Sequence, residues 1–196
     1  MNLYGAGGHA KVIIDILNSQ GKEIKAIFDE DENIKELLGF PVLYPKVIAS
    51  PLIISIGNNI IRKRIVDKIK VEYGVVIHTS SIISDSAIIG IGTVVMQGAI
   101  IQTDTTIGRH CIVNTGATVD HGCELQDFVH ISPNATLCGN VFIGEGTLIG
   151  AGSVVLPNIR IGKWSIIGAG SVVTKNIPDN VVAYGNYCKI IRQLKD

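Results

Sequence analysis

Tryptophan occurs once, methionine twice and proline six times in 196 residues, and aromatic residues make up only 5%. A core built from this chain cannot rest on large rings and must be closed by aliphatic side chains. Charged residues are also scarce at 17%, and 17 Lys plus Arg balance 17 Asp plus Glu. A neutral chain has no global field to hold nucleic acid or an anionic membrane surface, so neither is an expected partner. No apolar run approaches the roughly 20 residues needed to cross a bilayer, and the start lacks a basic-then-apolar leader, so no membrane insertion is expected. The four cysteines, Cys111, Cys123, Cys138 and Cys188, form no CxxC pair. Reduced thiols in a cytoplasmic protein are the expected state.

What the chain has instead is β-branched aliphatic residues: Ile and Val number 53 against 11 Leu, with 22 Gly to supply turns. That excess favours strand over helix. The residues are also periodic. Counting by six from Ile77 to Val173 lands on seventeen aliphatic residues without a slip in register. Four residues after each stands a small or β-branched one, among them Ala99, Cys111, Ala117, Cys123, Ala135 and Ser153, and Gly directly follows the aliphatic residue at six places from Gly90 to Gly168. A six-residue period means short strands joined by tight turns, each unit turning one large and one small residue inward. One unit cannot bury its own face, so stacked coils must build the core. Cys111 and Cys123 fall on the inward small site and read as buried hydrophobes.

Residues 1–76 lack the six-residue period. A short strand over Asn2–Tyr4 leads into Gly5-Ala6-Gly7-Gly8-His9 and a helix from about Ala10 to Ser19. A strand over Ile24–Phe28 ends in Asp29, Glu30, Asp31 and Glu32. Further on come a strand over Leu52–Ile56, a helix over Ile60–Lys70 and a strand near Val75. Strand, helix, strand in this order indicates a small parallel α/β sheet. Glycines between a strand and a helix let backbone approach a pyrophosphate, and the helix N-terminus offers N–H donors. Asp29, at the end of the second strand, is placed to meet a ribose or base edge. With room for only half of a dinucleotide fold, the segment suits a mononucleotide or nucleotide sugar rather than NAD. His9 is read as touching a sugar phosphate or capping the first helix; Trp164 and the Ile60–Lys70 charges are read as packing and a solvated helix face.

The six-residue repeat, together with Tyr4-Gly5-Ala6-Gly7-Gly8-His9, Ile56-Gly57-Asn58-Asn59, Val119-Asp120-His121 and Phe128-Val129-His130, resembles the hexapeptide-repeat sugar acyltransferases over essentially the whole chain. That family includes the N-acetyltransferases of the bacillosamine and perosamine pathways and sialic-acid O-acetyltransferases. The resemblance implies a small Rossmann-like α/β domain over 1–76, a left-handed parallel β-helix over 77–178 with 18-residue coils, and a CoA-proximal tail over 179–196. It also implies a homotrimer with the acyl-CoA cleft between neighbouring helices, each site drawing on two chains. Acetyl-CoA is the implied co-substrate, with no metal, and a UDP-amino sugar the implied acceptor. By match, Gly7, Gly8, His9, Asp29, Glu30 and Gly57 hold the nucleotide sugar. The catalytic His falls on His121, a second His near the thioester on His130, and late-coil CoA contacts on Ala151 and Ala169. Where the bacillosamine enzyme has Glu directly after the catalytic His, this chain has Gly122, leaving Asp120 or Glu124 to tune His121. Its C-terminal Gly-x-Pro-Ala-Lys element reads Gly185-Asn186-Tyr187-Cys188-Lys189 here, which keeps a Lys for a CoA phosphate.

The chemistry agrees with these residue types. A sugar amine is mostly protonated near neutral pH, and His is the side chain suited to removing a proton as the amine attacks a thioester. His121 sits two residues past Val119, on the turn side of its repeat, so its ring is expected to face outward. Asn114, one repeat earlier, is a candidate contact for substrate or cofactor, or a turn former. His110, His121 and His130 invite comparison with the three-His zinc site of γ-class carbonic anhydrases. Three different repeat positions do not easily converge within about 2.1 Å of one ion. O-acetylation of a sialic acid remains an alternative, and so does a non-catalytic nucleotide-sugar-binding protein.

Overall fold

The structure, a computed structural model, describes residues 1–194; the last two residues of the expected C-terminal tail lie outside the described residues. The N-terminal unit runs β1 (Asn2–Tyr4), α1 (Gly8–Ser19), β2 (Ala26–Phe28), β3 (Glu36–Leu37), β4 (Phe40–Leu43), β5 (Leu52–Ile54) and α2 (Asn59–Lys68). Its sheet order is β3-β4-β2-β1-β5, parallel throughout except for the β3–β4 pair. The β3–β4 hairpin is absent from the sequence-based reading. Its turn uses Leu38 at φ +51° and Gly39 at φ +83°, and Leu lacks the Asn or Asp signature of such turns. Strand β5 stops at Ile54 rather than Ile56. The next residue, Ser55, donates its hydroxyl to Tyr4 O and Gly5 O at 2.9 and 2.6 Å, tying the chain to β1 instead of extending the strand. Helix α2 starts at Asn59 because the Asn58 side chain accepts from Ile61 N at 3.0 Å as its N-cap.

From Val76–Ile77 to Val172–Val173, seventeen two-residue strands wind into a left-handed parallel β-helix. The first face carries Val76–Ile77, Val94–Val95, Ile112–Val113, His130–Ile131, Leu148–Ile149 and Ile166–Ile167. The second carries Ile82–Ile83 to Val172–Val173, and the third Ile88–Ile89 to Arg160–Ile161. Partners are always eighteen residues apart, as in Ile77↔Val95 and Val113↔Ile131. A hairpin of Val181–Tyr184 and Lys189–Gln193 extends the first face. The second residue of each strand points inward, and from Val95 to Val173 all of these are at most 1% exposed. Only Ile77, Ile83 and Ile89, at the open base, are partly buried. The small site four residues on is equally closed, and burial raises the thiols of Cys111 and Cys123 to about 12 and about 11, so neither is a ready nucleophile.

Three residues after each inward aliphatic from Ile89 to Ile167, the chain turns through the left-handed region, at Gly92, Gly98, Asp104, His110, Gly116 and onward to Gly170. Gly122 takes this place in its turn at φ +66°, where a side chain is strained. A Cβ at Gly122 would also stand 2.4 Å from Asn140 Oδ1.

The N-terminal unit lies on the lower first face. Outward-pointing Val76, Val94 and Ile112 join Leu3, Ile13, Ile14 and Leu17 in one apolar cluster. Val119 tests the register: it is fully buried in the core of the β-helix, so Val119→Asp should lower unfolding free energy by at least about 3 kcal/mol through an unpaired buried charge. Chemical denaturation followed by circular dichroism checks this; an unchanged midpoint would place position 119 on the surface.

Candidate functional site

The carboxyl ends of β1, β2 and β5 meet where the sheet order reverses around β1, the place where open α/β sheets form a ligand crevice. Gly5 holds φ +108°, and a Cβ there would stand 2.6 Å from Ile56 Cγ1, so packing alone demands this glycine. Gly7, Gly8 and Gly57 differ. None has a left-handed φ, and a Cβ on any of them would meet nothing within 4 Å. The fold itself gives these three no steric reason to be glycine. Gly7 is the N-cap of α1 and no side chain caps the helix, which rules out the cap role considered for His9.

Asp29 braces the crevice. Its Oδ2 accepts from Ala6 N at 2.7 Å and its Oδ1 from Asp31 N at 2.9 Å, so both oxygens hold the loops in this state. Glu30 accepts from the Tyr4 hydroxyl at 2.8 Å, and burial together with that carboxylate raises the Tyr4 phenol. Beside these acids a 350 Å³ cavity is lined by Asp29, Asp31, Glu32, Val42, Tyr44 and Lys46, among others. His9 is mostly buried with Nε2 unpartnered, and desolvation and then the nearby Arg62 lower its pKa to about 4.

The charges of α2 do not all form the solvated face expected of them. Lys63 does, pairing with Asp67 at 3.1 Å, but Arg62 is 1% exposed. Its guanidinium donates from Nε to His110 O (2.8 Å), from Nη1 to Ile56 O (3.0 Å) and Gly57 O (3.2 Å), and from Nη2 to Asn59 Oδ1 (2.8 Å) and Phe128 O (2.9 Å). All five donors are used, on oxygens from both units of the chain. Sequence reading missed this because an Arg in a charged helical run gives no sign of burial. Asn59 adds a bond from Nδ2 to Gly146 O at 2.9 Å. Trp164 does more than pack: with Leu148, Ile166 and Arg64 it lines a 560 Å³ cavity between α2 and the coils.

His130 sits where the units meet. Its Nδ1 lies 3.3 Å from Gly57 O and its Nε2 3.1 Å from Asn114 Nδ2. Burial, then Arg62 and His9, depress its pKa to about 3. Gly57, His130 and Asn114, far apart in sequence, are thus one cluster. His110 is buried and stacks on Phe128 at 5.3 Å, with burial and then Arg62 and Arg109 lowering its pKa to about 4.

His121 stands elsewhere, at the corner between the second and third faces, exposed to solvent. Its ring lies over Gly139 in the next coil, where a Cβ would be 2.5 Å from Cε1. Among the described residues the ring has no hydrogen-bond partner. Asp120 Oδ1 accepts from the His121 backbone N–H at 2.7 Å, and Glu124 Oε1 accepts from Gln126 Nε2 at 2.6 Å. Neither carboxylate touches the ring in one chain. Ala151 and Ala169 are exposed at the corner between the first and second faces, eighteen residues apart, and Lys189 is exposed at the start of the last strand. Among the described residues no group of three or more His, Cys, Asp or Glu is placed to hold a metal, and no helix is long and apolar enough to cross a membrane.

Residues 1–69 match the family model described as PglD N-terminal domain, and residues 140–175 that of bacterial transferase hexapeptide (six repeats). The chain is 36% identical to perosamine N-acetyltransferase from Caulobacter crescentus, with a TM-score of 0.93 over 98% of this chain and 96% of that one. That structure, a single-histidine variant, is in complex with CoA and GDP-perosamine. The acetyltransferase domain of PglB from Neisseria gonorrhoeae is 37% identical, with a TM-score of 0.90 over 97% of this chain and 98% of that one. A curated relative, UDP-N-acetylbacillosamine N-acetyltransferase from Bacillus subtilis (strain 168), is 42% identical over 106 residues, 46% of this chain and 48% of that protein. The chain spans less than half the length of the curated relatives it matches.

The depressed histidines predict an acid-labile fold. Neutral when folded, His9, His110 and His130 take up protons on unfolding below about pH 6.5, so stability is full above that pH and falls as pH drops toward about 4. His110 alone should remove up to about 1.4 kcal/mol per pH unit in that window. Urea midpoints at pH 7.5 and pH 5 should differ in this sense, and His110→Phe, which keeps the stacked ring, should narrow the difference.

Proposed function

The chain belongs to the hexapeptide-repeat N-acetyltransferases that carry a PglD N-terminal domain, and from that premise we propose that it moves the acetyl group of acetyl-CoA onto the 4-amino group of a UDP-linked 4-amino-4,6-dideoxy sugar, in bacterial surface-glycan or glycoprotein biosynthesis. The observation that carries this reading is the crevice whose Gly7, Gly8 and Gly57 are open where the fold does not require glycine. The diphosphate lies against the Gly7–Gly8 backbone at the N-terminus of α1, where free N–H groups and the helix dipole favour an anion. The base and ribose reach toward the Asp29–Glu30 side, and His9 faces the sugar phosphate.

His121 is the general base. The amine nitrogen attacks the thioester carbonyl as His121 takes one of its protons, giving a tetrahedral intermediate. That intermediate collapses with cleavage of the C–S bond, and the proton returns to the departing CoA sulfur. The oxyanion is met by a backbone N–H of the facing coil. Gly139, directly under the His121 ring, has one without an acceptor among the described residues. Asp120 is the candidate to orient the base, with CoA following Ala151 and Ala169 toward Lys189 and passing His130 and Asn114. His121 and the crevice occupy different sides of one prism, which supports a homotrimer whose sites each combine two chains. The reduced cysteines and the two co-substrates fit a cytoplasmic enzyme.

A GDP-linked sugar is the second reading, favoured by the GDP-perosamine complex of the Caulobacter relative. Incubating the protein with acetyl-CoA and a panel of UDP- and GDP-linked amino sugars and sialic acids, with detection of free thiol, separates these. Thiol release with a UDP-4-amino sugar is expected; release with sialic acid alone would make it an O-acetyltransferase, and none at all with nucleotide binding retained would make it a binding protein. His121→Ala should lower turnover by about 10²- to 10⁴-fold with the melting temperature kept. Gly8→Val should weaken nucleotide-sugar binding in calorimetry without loss of fold. Light scattering should give a multiple of 20.9 kDa.

A further inference from the structure

Arg62 lies too deep for a surface role and has no carboxylate partner among the described residues. Its five N–H groups end on oxygens of four segments: the Ile56–Gly57 loop at the mouth of the crevice, Asn59 on its own helix, and two turns of the β-helix at His110 and Phe128. Those two turn residues hold the left-handed conformation, at φ +55° and +62°, without being glycine. Their rings stack on each other while their carbonyls accept from the guanidinium. Only a planar fork reaches all five oxygens at once; an ammonium has three donors on a point charge.

The Gly57 carbonyl is shared, taking Arg62 Nη1 at 3.2 Å and His130 Nδ1 at 3.3 Å. A carbonyl only accepts, so the imidazole proton sits on Nδ1 and Nε2 presents its lone pair to Asn114 Nδ2. One chain of contacts thus runs from Arg62 through Gly57 and His130 to Asn114, joining the crevice wall to the coil.

We propose that Arg62 is a positioning residue for acetyl transfer: it fixes the Ile56–Gly57 wall of the crevice onto the β-helix and, through the shared Gly57 carbonyl, holds His130 in one tautomer and one orientation beside Asn114. The proposal rests on the crevice being the nucleotide-sugar site. The sugar held against Gly57 is then referred to the coils by the guanidinium, not by the edge of the sheet alone. An error of about 1 Å in that reference is enough to lower turnover by about 10²-fold.

Arg62→Lys keeps the charge and loses the fork. In the full-length variant kcat should fall about 10²-fold while KM for the nucleotide sugar stays within about threefold. The His130 ring, followed by NMR of its Cε1 and nitrogen resonances, should begin to titrate at a higher pH than in the parent, where burial and then Arg62 hold its pKa at about 3. The groups facing that ring are Arg62 and His9, so His9 is followed in the same spectra. Parent-like kcat with a His130 that stays neutral would overturn the proposal. If Arg62→Lys does not fold, Asn59→Ala decides. It removes one of the five acceptors and should give the same two changes at smaller size; a parent-like profile there overturns the proposal too. If the parent acetylates no nucleotide amino sugar, the functional reading fails separately, and the His130 titration still decides whether Arg62 sets that ring.

Discussion

A guanidinium without an anion, closed inside the protein and answered entirely by oxygens of neutral groups, is the constraint around which the two units are arranged. Removing Arg62 from water carries a large desolvation penalty, visible in its pKa, lowered to about 10 by burial. Five hydrogen bonds to oppositely oriented dipoles offset that penalty only if every acceptor stays in place. Displacing one segment leaves either an unmet donor or an unmet carbonyl in a dry site, and each is costly. The junction is therefore all-or-none, in contrast to the exposed Lys63–Asp67 pair on the same helix, which solvent screens. The apolar contact of Val76, Val94 and Ile112 with α1 and β1 gives the attraction between the units, and Arg62 gives its register.

The β-helix contributes a ruler. Because every rung repeats at eighteen residues, a residue's corner and height follow from its number alone. His121 and Gly139 fall on one corner and Ala151 and Ala169 on another, while His130 stands on the face against which the N-terminal unit rests. A single prism separates the outward imidazole from the open glycines, so the chemistry proposed for them is naturally that of neighbouring copies.

Burial divides the histidines by task. His9, His110 and His130 are kept neutral by desolvation and by the positive charge of Arg62, which suits them to hold shape and accept hydrogen bonds. His121 is exposed, and its ring has no hydrogen-bond partner among the described residues. Burial thus separates three neutral histidines from one exposed ring.

The six-residue period and the strand–glycine–helix opening were legible without coordinates, because periodic burial and the steric needs of turns are written directly in residue type. They located the β-helix, the inward cysteines, the outward His121 and the glycine loop. The β3–β4 hairpin escaped because Leu38 occupies a position that carries no turn signature. The roles of Arg62, Asn59 and the Gly57–His130–Asn114 cluster escaped for a different reason. Those residues make contacts across up to 88 positions, and nothing local to an Arg in a charged helix distinguishes a solvated side chain from one caged by carbonyls. Sequence determines what repeats along the chain; only folding decides which distant backbone oxygens converge on one cation.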